Sequence, residues 1–415
     1  MLFALVAALT FKGLVTLGVL PGVATFVDLP LSWLAFALAV ARSGRWSPPA
    51  RRLGWLIAFL ALSVVLAWVV HPAELLRPVV YLILLGQPFV LVAALVIDPP
   101  SPRLRSALEL CVVALLAVQI PIMAWQSLYL GPGDAVQGTL YGSGAGAHVI
   151  SAVAVAGGLW LLVSDRWPGP LRVALVVCLL AVPFVADAKQ VVFAMPALLA
   201  GVSWGRYRKK AVLLAVVVAA SLVILVTVYR PGRTGLDILG AAALGESGKQ
   251  VTVEIVWDHL TEDPATFLFG LGPAQTVSRA AFMTTDLFLG ADSPLRSLGL
   301  APAAIAVEVQ QRADEASGGG TSFDSGVSSA FGVLGDLGLV GVVAYASLLA
   351  SVFLFLRRIE RPQAMVAAGA WAMFAVLGFV YDWWEQPPFS VLLAVISGLA
   401  LVGPDVPDDL RRADE

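Results

Sequence analysis

Ionisable residues are scarce in this chain, 13% of its length, and those at the ends of apolar runs are the ones whose types could do chemistry. His148, at the start of one run, and Asp324, just ahead of another, can accept a proton from a hydroxyl. Lys189, Arg230 and Arg233 stand at or just beyond the ends of other runs, where cations can hold an anionic group. Lys12 falls mid-way along the first apolar run. A charge there marks a pathway or a pair, with Asp28 as a possible partner, unless the span starts later and leaves Lys12 near the surface. The three histidines are scattered and the two cysteines, Cys111 and Cys178, lie inside apolar runs, so no zinc-site spacing exists. Gly270-Leu271-Gly272 lacks the strand-turn-helix context of a nucleotide site.

The elements that must position these residues are helices in a membrane. A chain that is 59% hydrophobic, with mean hydropathy +0.88, is too apolar for a soluble protein. Crossing a bilayer takes roughly 20 apolar residues. Candidate spans are 2–20, 24–41, 53–70, 76–97, 106–125, 147–164, 171–186, 190–204, 211–229, 327–356, 363–380 and 387–403. The stretch before Arg42 reads either as two spans or as one kinked at Pro21, and the turn at 187–190 could belong to a re-entrant hairpin. The first run lacks a basic leader and a small-residue cleavage site, so it is expected to be a retained span. The expected architecture is an all-α polytopic membrane protein of about twelve transmembrane helices. Residues 1–229 form an N-terminal bundle of nine such spans, 230–326 one large loop between helices 9 and 10, 327–403 the last three spans, and 404–415 a tail.

Basic residues fix the expected orientation. Arg42, Arg45, Arg51 and Arg52, Arg103 and Arg105, Arg166 and Arg172, Arg206 to Lys210, Arg357 to Arg361, and Arg411 and Arg412 fall on alternate loops and the tail. The intervening short loops hold only Arg77 and Lys189. Lys and Arg are retained on the cytoplasmic side, which places both termini in the cytoplasm and 230–326 outside, in a cell membrane. Tryptophans near the span ends, Trp55, Trp68, Trp125 and Trp384 among them, read as interfacial anchors.

Within the loop, Ser247-Gly248-Lys249-Gln250 has the spacing of a capping box, which predicts a helix from about Gly248 to Leu260 that stops before Asp263-Pro264. Its mixed apolar and charged residues suit a helix lying on the membrane or on the bundle. Phe267 to Pro273 is a short apolar run ending in a glycine-rich turn, and Ser317-Gly318-Gly319-Gly320-Thr321 reads as a flexible tether.

Ser328-Ser329-Ala330-Phe331-Gly332-Val333-Leu334-Gly335-Asp336-Leu337-Gly338-Leu339-Val340-Gly341, entering a long span, resembles the signature of the O-antigen polymerase and O-antigen ligase superfamily. There, an acidic residue and a Gly-x-x-Gly pair follow a large outer loop. Phe269 to Pro273, Val136-Gln137-Gly138-Thr139-Leu140 and Asp187-Ala188-Lys189-Gln190 are looser matches in the same order. The resemblance implies a metal-independent, inverting glycosyltransferase without a cofactor, acting in cell-surface polysaccharide biosynthesis. Its partners would be a polyprenyl-diphosphate-linked oligosaccharide, an acceptor glycan and the lipid bilayer, with no nucleic acid.

That chemistry asks for cations against the leaving diphosphate. Lys189, Arg230, Arg233 and Arg279 are the candidates, with Lys249, Arg296 and Arg312 further out. Each has a plainer alternative. Lys189 could pair with Asp187 or snorkel, Arg230 and Arg233 could anchor at the interface, and Arg279 could be a solvated loop charge. Arg77 is either a further phosphate group or the partner of Glu74. The chemistry also asks for a base. The ligases' histidine ahead of the signature is absent, which points toward a polymerase-like member and leaves Asp324, otherwise a helix cap, and His148, otherwise interfacial, as candidates. The competing expectation is a lipid-linked oligosaccharide flippase or another secondary transporter, though no internal repeat is evident.

Overall fold

The computed structural model describes residues 1–43, 46–140, 145–164, 169–203, 248–284, 301–317 and 327–401. Among these residues the secondary structure is helical, with no strand. Four helices are long and apolar enough to cross a membrane: α3 (Pro48–Val70), α4 (Leu76–Ile97), α5 (Pro102–Tyr129) and α13 (Ser329–Arg357). Shorter apolar helices accompany them: α1 (Leu2–Thr16), α6 (Gly146–Leu162), α7 (Gly169–Val185), α8 (Lys189–Ser203), α14 (Pro362–Leu377) and α15 (Pro387–Leu401), with α2 (Asp28–Arg42) between α1 and α3. At about 1.5 Å per residue, the 15 residues of α1 rise about 22 Å, short of a hydrocarbon core of roughly 30 Å. The expected span 211–229 lies outside the described residues.

Local sequence explains the helix starts. Pro48 and Pro102 occupy first-turn positions where a missing N–H costs nothing, and the preceding Ser47 and Ser101 hydroxyls accept from Ala50 N and Leu104 N, both at 3.4 Å. The run before Arg42 is broken into two helices. α1 ends at Thr16, Gly18 turns the chain at φ +71°, and a 3-10 turn over Gly22–Phe26 leads into α2. Between α7 and α8 the chain reverses at Asp187, which takes φ +51°.

Burial sorts the helices into layers. α4 is the most enclosed of the four long ones, and α6, α14 and α15 present little apolar surface. α3, α5 and α7 instead expose large apolar residues such as Trp55, Leu110, Leu128 and Val177. Bands of that extent are unfavourable in water and suit lipid. Small residues let α8 and α14 approach closely: a Cβ on Gly201 would lie 2.6 Å from Gly369 Cα.

The connections gather at two ends. At one, Arg42 pairs with Asp98 at 3.8 Å and Gln363 Nε2 donates to Val163 O at 3.1 Å. At the other, the loop segments 248–284 and 301–317 pack on the ends of α3, α4 and α13 and on the α14–α15 turn. Four helices lie in these segments: α9 (Gly248–Leu260), α10 (Pro264–Phe269), α11 (Arg279–Thr284) and α12 (Ala304–Ser317). Gly133 N donates to Val185 O at 2.8 Å, joining the α5–α6 connection to the end of α7.

Candidate functional site at the loop-bearing end

Glycine spacing on α13 creates the seat for the loop. A Cβ on Gly335 would come within 2.6 Å of Thr276 Oγ1, and one on Gly338 within 2.5 Å of Gly270 N, so neither position has room for a side chain. Gly338 also takes φ +62° inside the helix, which glycine adopts without strain. Into this seat runs the Gly270–Pro273 turn, with Leu271 N donating to Gly335 O at 2.7 Å.

Asp336 then fastens the chain that follows. Its Oδ1 accepts from Gln275 N (3.0 Å), Thr276 N (2.7 Å) and the Thr276 hydroxyl (2.8 Å), and its Oδ2 from the Ser278 hydroxyl at 2.6 Å. A fully buried carboxylate is tolerable only with such a complete donor set. The acidic residue of the glycine-rich signature is thus occupied with shaping the loop.

The residue delivered by this shaping is Arg279, at the first position of α11. Glu385 Oε2 accepts from Ala280 N at 3.0 Å, and Asp382 Oδ2 pairs with Arg279 Nη1 at 2.7 Å. Both acids come from the short connection between α14 and α15, which includes a 3-10 turn over Trp383–Glu385. Arg279 is 18% exposed and Asp382 fully buried, so the guanidinium is held from behind and presented forward. Burial pushes the Glu385 carboxyl up to about 8.

Arg279 faces a cleft of about 520 Å³, its open mouth included, bounded by α1, α2, α4, α11 and the start of α15. The centre of a water molecule can reach about 40 Å³ of it, room for a few waters or a small anion and too little for a sugar chain. Lys12 from α1 and Asp28 from the start of α2 line the same cleft, with Gln386. No ion pair joins Lys12 to Asp28 or to Asp382. Asp28 Oδ2 instead accepts from Gln87 Nε2 of α4 at 2.8 Å, and Gln87 in turn contacts the Ser32 and Ser390 hydroxyls at 3.2 and 3.4 Å.

Among the described residues, the other candidate cations have partners. Arg77 is 1% exposed and donates to Glu74 (2.8 Å), to the Thr284 hydroxyl (2.8 Å), and to the carbonyls of Ala274 (3.0 Å) and Ala301. It is a strut between α4 and the loop, and it holds the Glu74 carboxyl below the usual range. Lys189 pairs with Asp187 at 3.2 Å. His148, third residue of α6, lies 3.8 Å from Asp134; its neighbour Val149 lines the cleft, and His148 itself does not. Lys249 donates to Val327 O and stands 5.7 Å from the centre of the Tyr381 ring; burial lowers its ammonium to about 7. Arg312 pairs with Glu308 at 3.5 Å in the open. Arg230, Arg233, Arg296 and Asp324 lie outside the described residues.

The sequence marked Lys12 and Asp28 only as possible partners for each other, and it passed over Asp382 and Glu385. Their one signal was two acids in a short polar break, Asp382 to Gln386, between two apolar runs. The chain matches no protein-family model and no curated protein.

Proposed function

We propose that the protein is a membrane-embedded, polymerase-like glycosyltransferase. It moves a glycan from a polyprenyl-diphosphate carrier to an acceptor sugar hydroxyl at the outer face of a cell membrane, with both termini in the cytoplasm. The observation that carries this reading is the convergence of Lys12 and Arg279 on one cleft at the end of the bundle where the loop segments dock. When the bond from the anomeric carbon to the phosphate oxygen breaks, the departing diphosphate gains negative charge. Cations already in place at that oxygen lower the barrier because they need not reorganise as charge develops. Arg279, braced by Asp382, meets that requirement, and Lys12 adds a second charge that no carboxylate among the described residues approaches at ion-pair distance. The basic-loop end, where Arg42 meets Asp98, is opposite, and the retention of basic residues in the cytoplasm supports an outer position for the cleft.

The test is direct. Purified protein in lipid, given a polyprenyl-diphosphate oligosaccharide, lengthens it without nucleotide or ion gradient. Movement across liposomes without lengthening would replace this reading with a flippase. Orientation is checked with Gly290→Cys: the thiol reacts with a membrane-impermeant reagent from outside, and labelling by permeant reagents alone would overturn the assignment.

A further inference from the structure

The transfer reaction leaves one proton unplaced, and the cleft holds a group in position to take it. Resting on the transferase reading, we propose that Asp28 is the general base that deprotonates the acceptor hydroxyl. Asp28 lines the cleft beside Lys12 and Arg279, yet it is ion-paired to neither. Its Oδ2 is fixed by Gln87 Nε2 at 2.8 Å, the backbone amides of Asp28 and Leu29 lie close to the carboxylate, and among the described residues no side chain donates to Oδ1. The amide that fixes it is uncharged, so it orients the carboxylate without the strong suppression of basicity that an arginine fork would impose. The groups facing it are Lys12 from α1, Arg279 from α11 with Asp382 behind it, and Gln87 from α4; the 3-10 turn over Gly22–Phe26 brings no titratable group.

The step balances. The acceptor oxygen forms its bond to the anomeric carbon as its proton passes to the Asp28 carboxylate. The bond from that carbon to the phosphate oxygen breaks, and its electron pair leaves with the diphosphate toward Lys12 and Arg279. Attack opposite to departure inverts the anomeric centre. The protonated Asp28 then returns its proton to water.

Asp28→Asn keeps size and the contact region of Gln87 while removing the proton acceptor. Its expected effect is a loss of about 10²- to 10⁴-fold in turnover, with inhibition by inorganic pyrophosphate unchanged, because the cations remain. A purely structural role would weaken both together. Gln87→Met gives the second arm. Losing the amide makes the carboxylate harder to ionise, so the acid limb of the rate profile moves to higher pH. Asp28→Asn with wild-type turnover, or a Gln87→Met protein whose acid limb stays put, overturns the assignment while leaving the transferase reading intact. A wild-type protein silent with every lipid-linked glycan removes both.

Discussion

Two clusters of ionisable groups at the same end of the bundle separate by how their charges are answered. At the α7–α8 turn, Lys189 meets Asp187 two residues away at 3.2 Å, and the left-handed backbone of Asp187 folds the pair together. In the cleft, Lys12 meets no carboxylate at ion-pair distance among the described residues, and Arg279 is held by an acid contributed from the far end of the chain. A locally paired charge at an interface is already satisfied and contributes little. Lys12 and Arg279 are half-buried rather than fully exposed, and two cations brought to one cleft are the arrangement that the proposed anionic substrate would require.

The largest effects should fall on the cleft. Arg279→Ala and Lys12→Met are each expected to lower lengthening by about 10²- to 10³-fold, the usual loss when one preorganised electrostatic contact is removed. Arg279→Lys should retain part of the activity, since the charge survives and the fork does not. The measurement is turnover at saturating lipid-linked glycan, with folded protein verified by thermal unfolding in detergent. Wild-type rates in Lys12→Met would place that residue on the same footing as Lys189 and dissolve the contrast between the clusters.

Intermediate effects should come from the acids that shape the loop. Asp336→Asn leaves at least one of four donors without an acceptor and is expected to cost about 1–3 kcal/mol of stability, read as a lowered unfolding temperature. Activity per folded molecule should fall as well, because Arg279 loses its seat. Glu385 adds a pH signature. Its folded carboxyl is raised from 4.5 to about 8 by burial, so the native state binds more protons than the unfolded state between those limits. Stability therefore declines as pH rises from about 4.5 to 8, and Glu385→Gln should flatten that decline. Lys249 works the other way, but only above about 7, where its lowered folded value lets the native state release a proton first. Below about 7 the Lys249 contribution is absent, so the difference between wild type and Glu385→Gln is read there.

Much of the helical framework was legible because its causes are local. The apolar runs anticipated α3 and α5, although the serine caps and first-turn prolines start both helices ahead of those runs, and the Ser-x-x-Gln spacing anticipated the helix found at Gly248–Leu260. Arg77 was readable as the partner of Glu74, although its carbonyl and threonine contacts, all from the loop, were not. The cleft was illegible for a physical reason. Lys12, Asp28 and Arg279 are brought together only by packing of α1, α2 and α11, and nothing in the spacing of residues so distant in sequence encodes which surfaces meet. The glycine-rich signature was noticed for its acid. What the acid does, fastening Gln275 to Ser278, depends on the glycines leaving the loop room to approach.

The smallest effect is expected at Lys189, and it is the sharpest test of the contrast. Lys189→Met removes a pair whose side chains are 29% and 36% exposed, and such pairs contribute about 0.2–1 kcal/mol. Turnover should therefore stay within about twofold of wild type and the unfolding temperature should barely move. Asp187→Asn should behave in the same way, because its left-handed backbone conformation, which asparagine tolerates, survives the change. If Lys189→Met instead matched Lys12→Met in lost turnover, the diphosphate would have to reach the α7–α8 turn. The ion pair with Asp187 would then be a resting arrangement that substrate displaces, and the double variant Asp187→Asn, Lys189→Met would be no worse than Lys189→Met alone.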